Sequence, residues 1–461
     1  VTVESAPGGT PGCRYERVSE FLVYQRAPRV ARVWFAETWR RCVVEIVFSR
    51  VAGIDVHKRQ VTVAVRVPSD QSGDDEVRAQ RVRRFATFYG ALLEMASWLR
   101  AEQVTHVAME ATGVYWRPVF HALAEAEGLE IVLCNAHHVK NVPGRKTDAN
   151  DAVWLAQLCE VGLLRGSFIP PAEIAAVREL TRYRRKLTEE RTRETQRLHK
   201  VLEDGGIKLD SVASDSLGVS GRAMITALIA GERDPAVLAD LARGVMRKKI
   251  PDLTMALAGR FAAHHALLAG LHLAHIDHLN EMIGALEVRI DAAIAPFARQ
   301  RDRLMTVPGI GKRAAQTIIA EIGVDMSRFP TADHLASWAG LCPGNNESAG
   351  KRKKTSTRNG NAQLCSVLVE AAWAVARTQT RLGARFRRLH RRFGKAGGKK
   401  AAVAIAHTIL VIVWHILHDE VDYTDLGADY YTQRDNPEVR KRRLLRQLEG
   451  LGYRVEISPA A

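Results

Sequence analysis

From residue 50 onward the apolar positions fall into two alternating regimes. "RVAGIDVH" (50–57) is a short apolar run, "QVTVAVRVP" (60–68) alternates with period two, and "VRRFATF" (82–88) is a third strand-like stretch. Helical spacing follows in "YGALLEMASWLRAE" (89–102), then a strand in "VTHVAMEAT" (104–112). "VYWRPVFHALAEAEG" (114–128) is helical and closes on Gly128, and "LEIVLCN" (129–135) returns to a strand. After a basic loop, "TDANDAVWLAQLCEVG" (147–162) predicts a helix with Thr147 as N-cap and Gly162 just past its end. Three consecutive strands predict an antiparallel meander. The later alternation of strand and helix predicts parallel additions to the same sheet.

Beyond residue 170 the sheet pattern stops. Residues 170–204 read as one long charged helix with a Pro start and a Gly-Gly stop, and residues 258–297 as a second. The two could pair as an antiparallel hairpin or a coiled coil. Between them, 205–257 predicts short helices broken by Gly and Pro. The reading divides the 461 residues into an N-terminal extension of uncertain order (1–49), a sheet domain (50–168), a helical linker (169–299), a mainly helical C-terminal domain (300–420) and a polar tail (421–461), ordered only in part. The fold class is α/β plus α.

Composition sharpens the choice of partner. The formal net charge is +16, which points to a polyanion, either nucleic acid or an anionic membrane surface. The six cysteines form no CxxC pair, which argues against a zinc ribbon or disulfide framework and fits a reducing, cytoplasmic compartment. No charged start followed by an apolar run marks a signal peptide. The most apolar segment, "AAVAIAHTILVIVWHIL" (401–417), contains His407 and His415 and reads as a buried core helix rather than a membrane span.

Two groups of residues carry candidate chemistry. Asp55 ends the first strand, Glu110 lies on the fourth, and Asp148 and Asp151 open the last helix of the sheet domain. Acids in a first helical turn are ordinarily explained by the helix dipole. In a ribonuclease-H-like sheet, however, strands one and four are neighbours and the last helix packs beside them. Four carboxylates would then meet and could hold one or two Mg²⁺ ions through oxygen ligands. His57 and Lys58 could approach a phosphate or serve as plain surface residues. His137 and His138 lack the partners that zinc would need.

The second group lies near the C-terminus. "VPGIGKRAAQTIIAEIG" (307–323) resembles a helix–hairpin–helix, in which Gly309, Gly311 and Lys312 could hold a DNA phosphate; the Walker spacing is absent. In "GLCPGNNESAGKRKKTSTRNGN" (340–361), Lys351, Arg352, Lys353, Lys354 and Arg358 surround Ser348, which Gly344 and Gly350 bracket. From the residues alone, this is either a phosphate-clamping loop with a capping serine or a serine poised to attack a phosphodiester.

"GIDVHK", "MEATGVYWRPV" and "KTDANDAVWLAQL" resemble the motifs of the DEDD transposases, insertion-sequence recombinases with a RuvC-like first domain and a separate C-terminal transposase domain. The resemblance covers residues from about 50 to 170 and from about 300 to 390. It implies that Asp55, Glu110, Asp148 and Asp151 are a metal-binding tetrad and that Ser348, in "SAGK", is a nucleophile that joins covalently to DNA. It further implies a structured guide RNA encoded by the element, and a homo-oligomer, dimer or tetramer, in which the first domain of one subunit completes a site with the last domain of another. The roughly fifty residues before the first strand and the segment 205–257 have no counterpart in those motifs. Two other readings stand beside this one: a metal-dependent nuclease or junction resolvase using the tetrad alone, and a non-catalytic nucleic-acid-binding protein.

Overall fold

The computed structural model describes residues 46–69, 77–111, 113–134, 151–343, 347–348, 350–352, 357, 359–394, 397–434 and 437–456. Thr147, Asp148, His137, His138, Gly344, Lys353, Lys354 and Arg358 lie outside them, as does most of the extension. Of Ser348, Lys351 and Arg352 only the backbone is described. The chain divides between Ile169 and Pro170 into two compact units.

The first unit is a five-stranded mixed sheet with helices on both faces. Its elements are β1 (Val51–Val56), β2 (Gln60–Pro68), β3 (Arg78–Ala86), α1 (Tyr89–Ala101), β4 (His106–Glu110), α2 (Trp116–Ala124), β5 (Glu130–Cys134) and α3 (Asp151–Glu160). The sheet order is β3-β2-β1-β4-β5. β2 is antiparallel to both β1 and β3, and β4 is parallel to both β1 and β5, as the strand pattern predicts. Successive side chains of a strand take opposite faces. Ala52, Ile54 and Val56 of β1, with Val107 and Met109 of β4, therefore form one core with Leu92, Met95 and Leu99 of α1 and Val119 of α2. Val51 and Ala108, on the other face, pack against Leu155, Ala156 and Cys159 of α3. The third strand begins four residues earlier than "VRRFATF" suggests, because an edge strand with an exposed face carries little apolar signal.

The second unit is built of helices. α4 (Ala172–Asp204) is followed by the short α5 (Leu209–Val212), α6 (Val219–Ile229), α7 (Pro235–Asp240) and α8 (Ile250–Ala256), then by the long α9 (Ala263–Ile294). Asp204 meets His265, Glu194 meets His272, and Arg191 meets Asn280, so α4 and α9 run antiparallel along one another. The intervening short helices pack into a core of their own with the inner ends of the two long ones. There follow α10 (Ala298–Met305), α11 (Lys312–Ile322), α12 (Ala332–Ala339), the two-residue strands β6 (Glu347–Ser348) and β7 (Lys351–Arg352), α13 (Ala362–Val375), α14 (Arg381–Phe393), α15 (Gly398–His418), α16 (Tyr430–Arg434) and α17 (Pro437–Glu449). α15 is long and apolar enough to cross a membrane, but 61% of its apolar window is buried inside the protein. Its residues Ile405, Ile409, Leu410 and Val413 are fully buried, which makes it a core helix.

Candidate active site

The acidic cluster is assembled by the sheet register and one glycine. Ile54 pairs with Met109 across the parallel β1–β4 ladder, so Asp55 and Glu110, one residue further on, stand at equivalent positions of adjacent strands. Neighbouring strands are about 4.8 Å apart. Both residues share the face of Gly53 and Ala108, the face that α3 covers. A Cβ built on Gly53 would overlap the Ala152 carbonyl and lie 2.9 Å from the Leu155 Cβ, so α3 rests directly on the bare backbone of β1.

The direction of α3 settles where Asp151 falls. The helix ends at Glu160, whose carbonyl accepts from Val47 and Phe48 just before β1 and whose carboxylate is ion-paired with Arg66 of β2 and Arg78 of β3. Its other end, which begins at Asp151, therefore lies toward the C-terminal end of β1, where Asp55 and Glu110 stand. Glu110 Oε1 and Asp151 Oδ1 are both removed from solvent. His57 Nε2 is 3.0 Å from Asp55 Oδ2, so this histidine, when protonated, can balance part of the negative charge. Glu110 also pairs with Cys134 on β5. Burial, then the charges of Cys159 and Glu110, push the Cys134 thiol up to about 12.

Three hard carboxylates at one sheet end suit an oxygen-preferring divalent cation far better than zinc or a soft metal. A different group, Asp204, His264 and His265, has ligand atoms within 4.8 Å of one another. Hydrogen bonding argues against a metal there. His265 Nδ1 accepts the Ala262 backbone N–H at the start of α9, so Nε2 carries the proton and donates to Asp204 at 3.0 Å. Ligation through Nε2 would break that cap.

In the second unit, β6 and β7 form a tight hairpin in which Ser348 pairs with Lys351. Ser348 ends β6 and Lys351 begins β7, and Gly350, directly before Lys351, has φ +73°. Pro343 and Thr357 bridge its base. The loop returns to α13 through Asn361, whose side chain caps Leu364 N and donates to Glu321 Oε2 at 2.6 Å. Glu321 is 0% exposed and receives two 2.7 Å bonds from Arg182 of α4. One buried carboxylate thus ties α4 and α11 to the residue from which the serine loop re-enters the fold.

The "GIG" turn joins α10 to α11. Gly309 has φ +90°, and a Cβ there would approach the Ala371 carbonyl of α13 to 2.6 Å, so its glycine is required by backbone shape and close helix packing. Gly311 is exposed and precedes α11 without a side-chain cap. Lys312 does not project alone: its Nζ is 2.7 Å from Asp291 of α9, and Arg313 is ion-paired with Glu287. Sequence reading missed these acids because they lie some twenty residues upstream on a helix that only tertiary packing brings alongside. It also missed Arg184, buried on α4, which bonds the neutral Gln316 Oε1 at 2.7 Å and lines a cavity of about 490 Å³ with Arg182, Arg185, Arg313 and Gly309.

Comparison with known proteins places the chain among transposases. Residues 52–205 match a family model described as "Transposase", and residues 301–387 match one described as "Transposase IS116/IS110/IS902 family". A Pseudomonas aeruginosa protein named "Probable family 20 transposase" is 28% identical over 69% of this chain and 85% of its own length. The transposase for insertion sequence element IS1111A of Coxiella burnetii is 24% identical over 72% and 82%. The pilin gene-inverting protein of Moraxella bovis is 31% identical over 31% and 45%. The chain is thus an enzyme that acts on DNA. It belongs to the IS116/IS110/IS902 family of insertion-sequence transposases, of the DEDD type.

Proposed function

We propose that this transposase cuts and rejoins DNA strands with two sets of groups: a Mg²⁺-binding site formed by Asp55, Glu110, Asp148 and Asp151, and Ser348 as nucleophile. The observation that carries the first is the convergence of Asp55 and Glu110 at one register position beneath the end of the helix that starts at Asp151. When bound, Mg²⁺ polarises a DNA phosphate and neutralises charge on its oxygens. For the second, the place of Ser348 at the end of β6 and the cations that follow it, Lys351, Arg352, Lys353, Lys354 and Arg358, support attack on phosphate.

In the step itself, the Ser348 Oγ forms a bond to phosphorus while the bridging bond from phosphorus to one deoxyribose oxygen breaks. The serine proton ends on the released deoxyribose oxygen. A deoxyribose hydroxyl of the second strand then attacks the phosphoserine, restores the serine, and needs no external energy source. Gly309, Gly311 and Lys312 hold DNA backbone at the helix–hairpin–helix, where phosphate competes with Asp291 for Lys312. A structured RNA that pairs with element and target supplies sequence choice, and part of the +16 charge serves it. The working form is a homo-oligomer, and the enzyme acts where the DNA is, in the cytoplasm.

The test uses purified protein, Mg²⁺, labelled DNA spanning an element junction and RNA transcribed from the element's flank, read on a denaturing gel. Wild type should give a protein–DNA adduct, absent in Ser348→Ala. Asp55→Asn and Asp151→Asn should each lower strand cleavage by about 100-fold or more, the scale of losing one group that stabilises transition-state charge. Cleavage without an adduct, unchanged in Ser348→Ala, would instead support the nuclease reading. DNA and RNA binding with no strand chemistry, unchanged in Asp151→Asn, would support the binding-protein reading.

A further inference from the structure

We infer that Arg84 and Phe88 form a subsite for one unpaired nucleotide of the substrate strand, beside the acidic cluster: the guanidinium takes its phosphate and the ring stacks on its base. The inference rests on the reading of Asp55, Glu110, Asp148 and Asp151 as the cleavage site, and it names two positioning residues outside that set. The sheet register places the first of them. Asp55 pairs with Thr62 across β1 and β2, and Thr62 pairs with Arg84 across β2 and β3. Arg84, Thr62, Asp55 and Glu110 therefore form one transverse row on the face that α3 covers, with Arg84 two strands, about 10 Å, from Asp55. Ala64, two residues beyond Thr62 on that face, packs with Ala152 and Val153 of α3. Val82, opposite Ala64 on β3, is 50% exposed, so α3 leaves this end of β3 bare.

β3 carries four arginines, and three are engaged. Arg78 is ion-paired with Glu160 and Arg81 with Glu102, while Arg83 lies 4.8 Å over the Trp98 ring. Arg84 is exposed and makes no ion pair or hydrogen bond among the described residues. Phe88 follows at the same end of the sheet. Gln60, which opens β2, pairs with Ala86, and the Thr87 hydroxyl donates to the Lys58 carbonyl at 3.0 Å. Lys58 adjoins His57, whose Nε2 is 3.0 Å from Asp55 Oδ2. Phe88 is thus pinned through its neighbour to the turn that leaves Asp55. Its own side chain is 82% exposed and belongs to neither core of the sheet. A lone exposed apolar side chain is ordinary on a protein surface. An open ring and an open guanidinium together, at the edge of a site that cuts DNA, match the two halves of a nucleotide: phosphate for the planar fork, base for the ring. A base inside a duplex has both faces taken by its neighbours, so the ring needs one that has left the stack.

The test is a pair of chemical double-mutant cycles on strand cleavage by the full-length protein, with the junction DNA, RNA and Mg²⁺ of the cleavage assay above. Phe88→Ala should lower cleavage about tenfold, the scale of one lost base–aromatic stack, and Phe88→Trp should keep the wild-type rate. Removing the base at one position beside the cut should cost the wild type about as much, and cost Phe88→Ala nothing more. Arg84→Gln should show the same non-additivity with an uncharged methylphosphonate at a phosphate next to that position. Thermal midpoints should match the wild type, since both side chains are exposed. Losses that add at every position scanned overturn the inference, because neither side chain then meets the missing group. An additive abasic scan with an altered assembly mass of Phe88→Ala in sedimentation without DNA also overturns it, and assigns the ring to contact with a second copy of the chain. A second readout needs no cut. With 2-aminopurine moved along one strand of the junction, Asp151→Asn protein should quench its fluorescence at one position, and the double variant Asp151→Asn, Phe88→Ala should not. Quenching of this kind without any cleavage by the wild type would sink the metal-site reading and keep the nucleotide contact. Cleavage without Phe88-dependent quenching or coupling would do the reverse.

Discussion

Gly53 shows how one side chain, by being absent, builds a site. Its hydrogen lets α3 sit on β1 so closely that even a methyl group collides with the Ala152 carbonyl. Gly53→Ala must therefore push the helix outward and carry Asp151 away from Asp55 and Glu110. The expected cost is about 2 kcal/mol, in the range of overpacked cores. Thermal unfolding would show a lower midpoint, and strand cleavage should fall further than the stability loss explains. A variant with normal cleavage would mean that the carboxylates need no close α3. The four acids were legible because a strand end and a second strand each carry one and the predicted helix start carries two, in a recognisable order. Their register was not, since pairing depends on backbone bonds between segments fifty residues apart.

At the scale of elements, two carboxylates hold the long helices. Burial alone would raise the Glu194 carboxyl, but hydrogen bonds from His272, Arg197 and His275 outweigh it and bring it down to about 2 from 4.5. A depressed carboxylate stabilises the fold above its unfolded value and loses that contribution as pH falls through the folded one. The α4–α9 hairpin should therefore lose stability between about pH 4.5 and 2. Urea midpoints measured across that window should decline in wild type and decline less in Glu194→Gln. Glu321 acts at a junction of three helices, paired with Arg182 and Arg178 and bonded to Asn361. Glu321→Gln leaves these guanidinium groups without their counter-charge. A loss of about 3 kcal/mol is expected, at the low end for a broken buried pair because Arg182 is 37% exposed. Denaturant unfolding would reveal it; an unaffected midpoint would show that water compensates the arginines. Helix lengths and the Gly-Gly stop after α4 were readable from spacing, whereas the ion-pair partners come from positions as far apart as 182 and 321.

Over the whole molecule, charge is distributed by region. Ten of the Lys and Arg residues fall between Ala371 and His418 with no acid among them, whereas along α4 acids and cations are interleaved. A total of +16 signals a polyanion partner, yet it does not say which cations face solvent. Lys312 and Arg387 look equally available in the sequence; one is held by Asp291 and the other caps α13. What the sequence by itself determined was local: the periods of strand and helix, the order of elements, the motif carboxylates, the hairpin glycines and the serine in its basic loop. These follow from the pattern of neighbouring residues, because side-chain periodicity and turn chemistry act over a few positions. Only the tertiary structure decided that Asp55 and Glu110 stand side by side, that Asp204 and His265 form a helix clasp, and that Lys312 and Arg387 are engaged within the fold. Each of those depends on groups distant in the chain meeting through burial and backbone pairing, energies that no single segment contains.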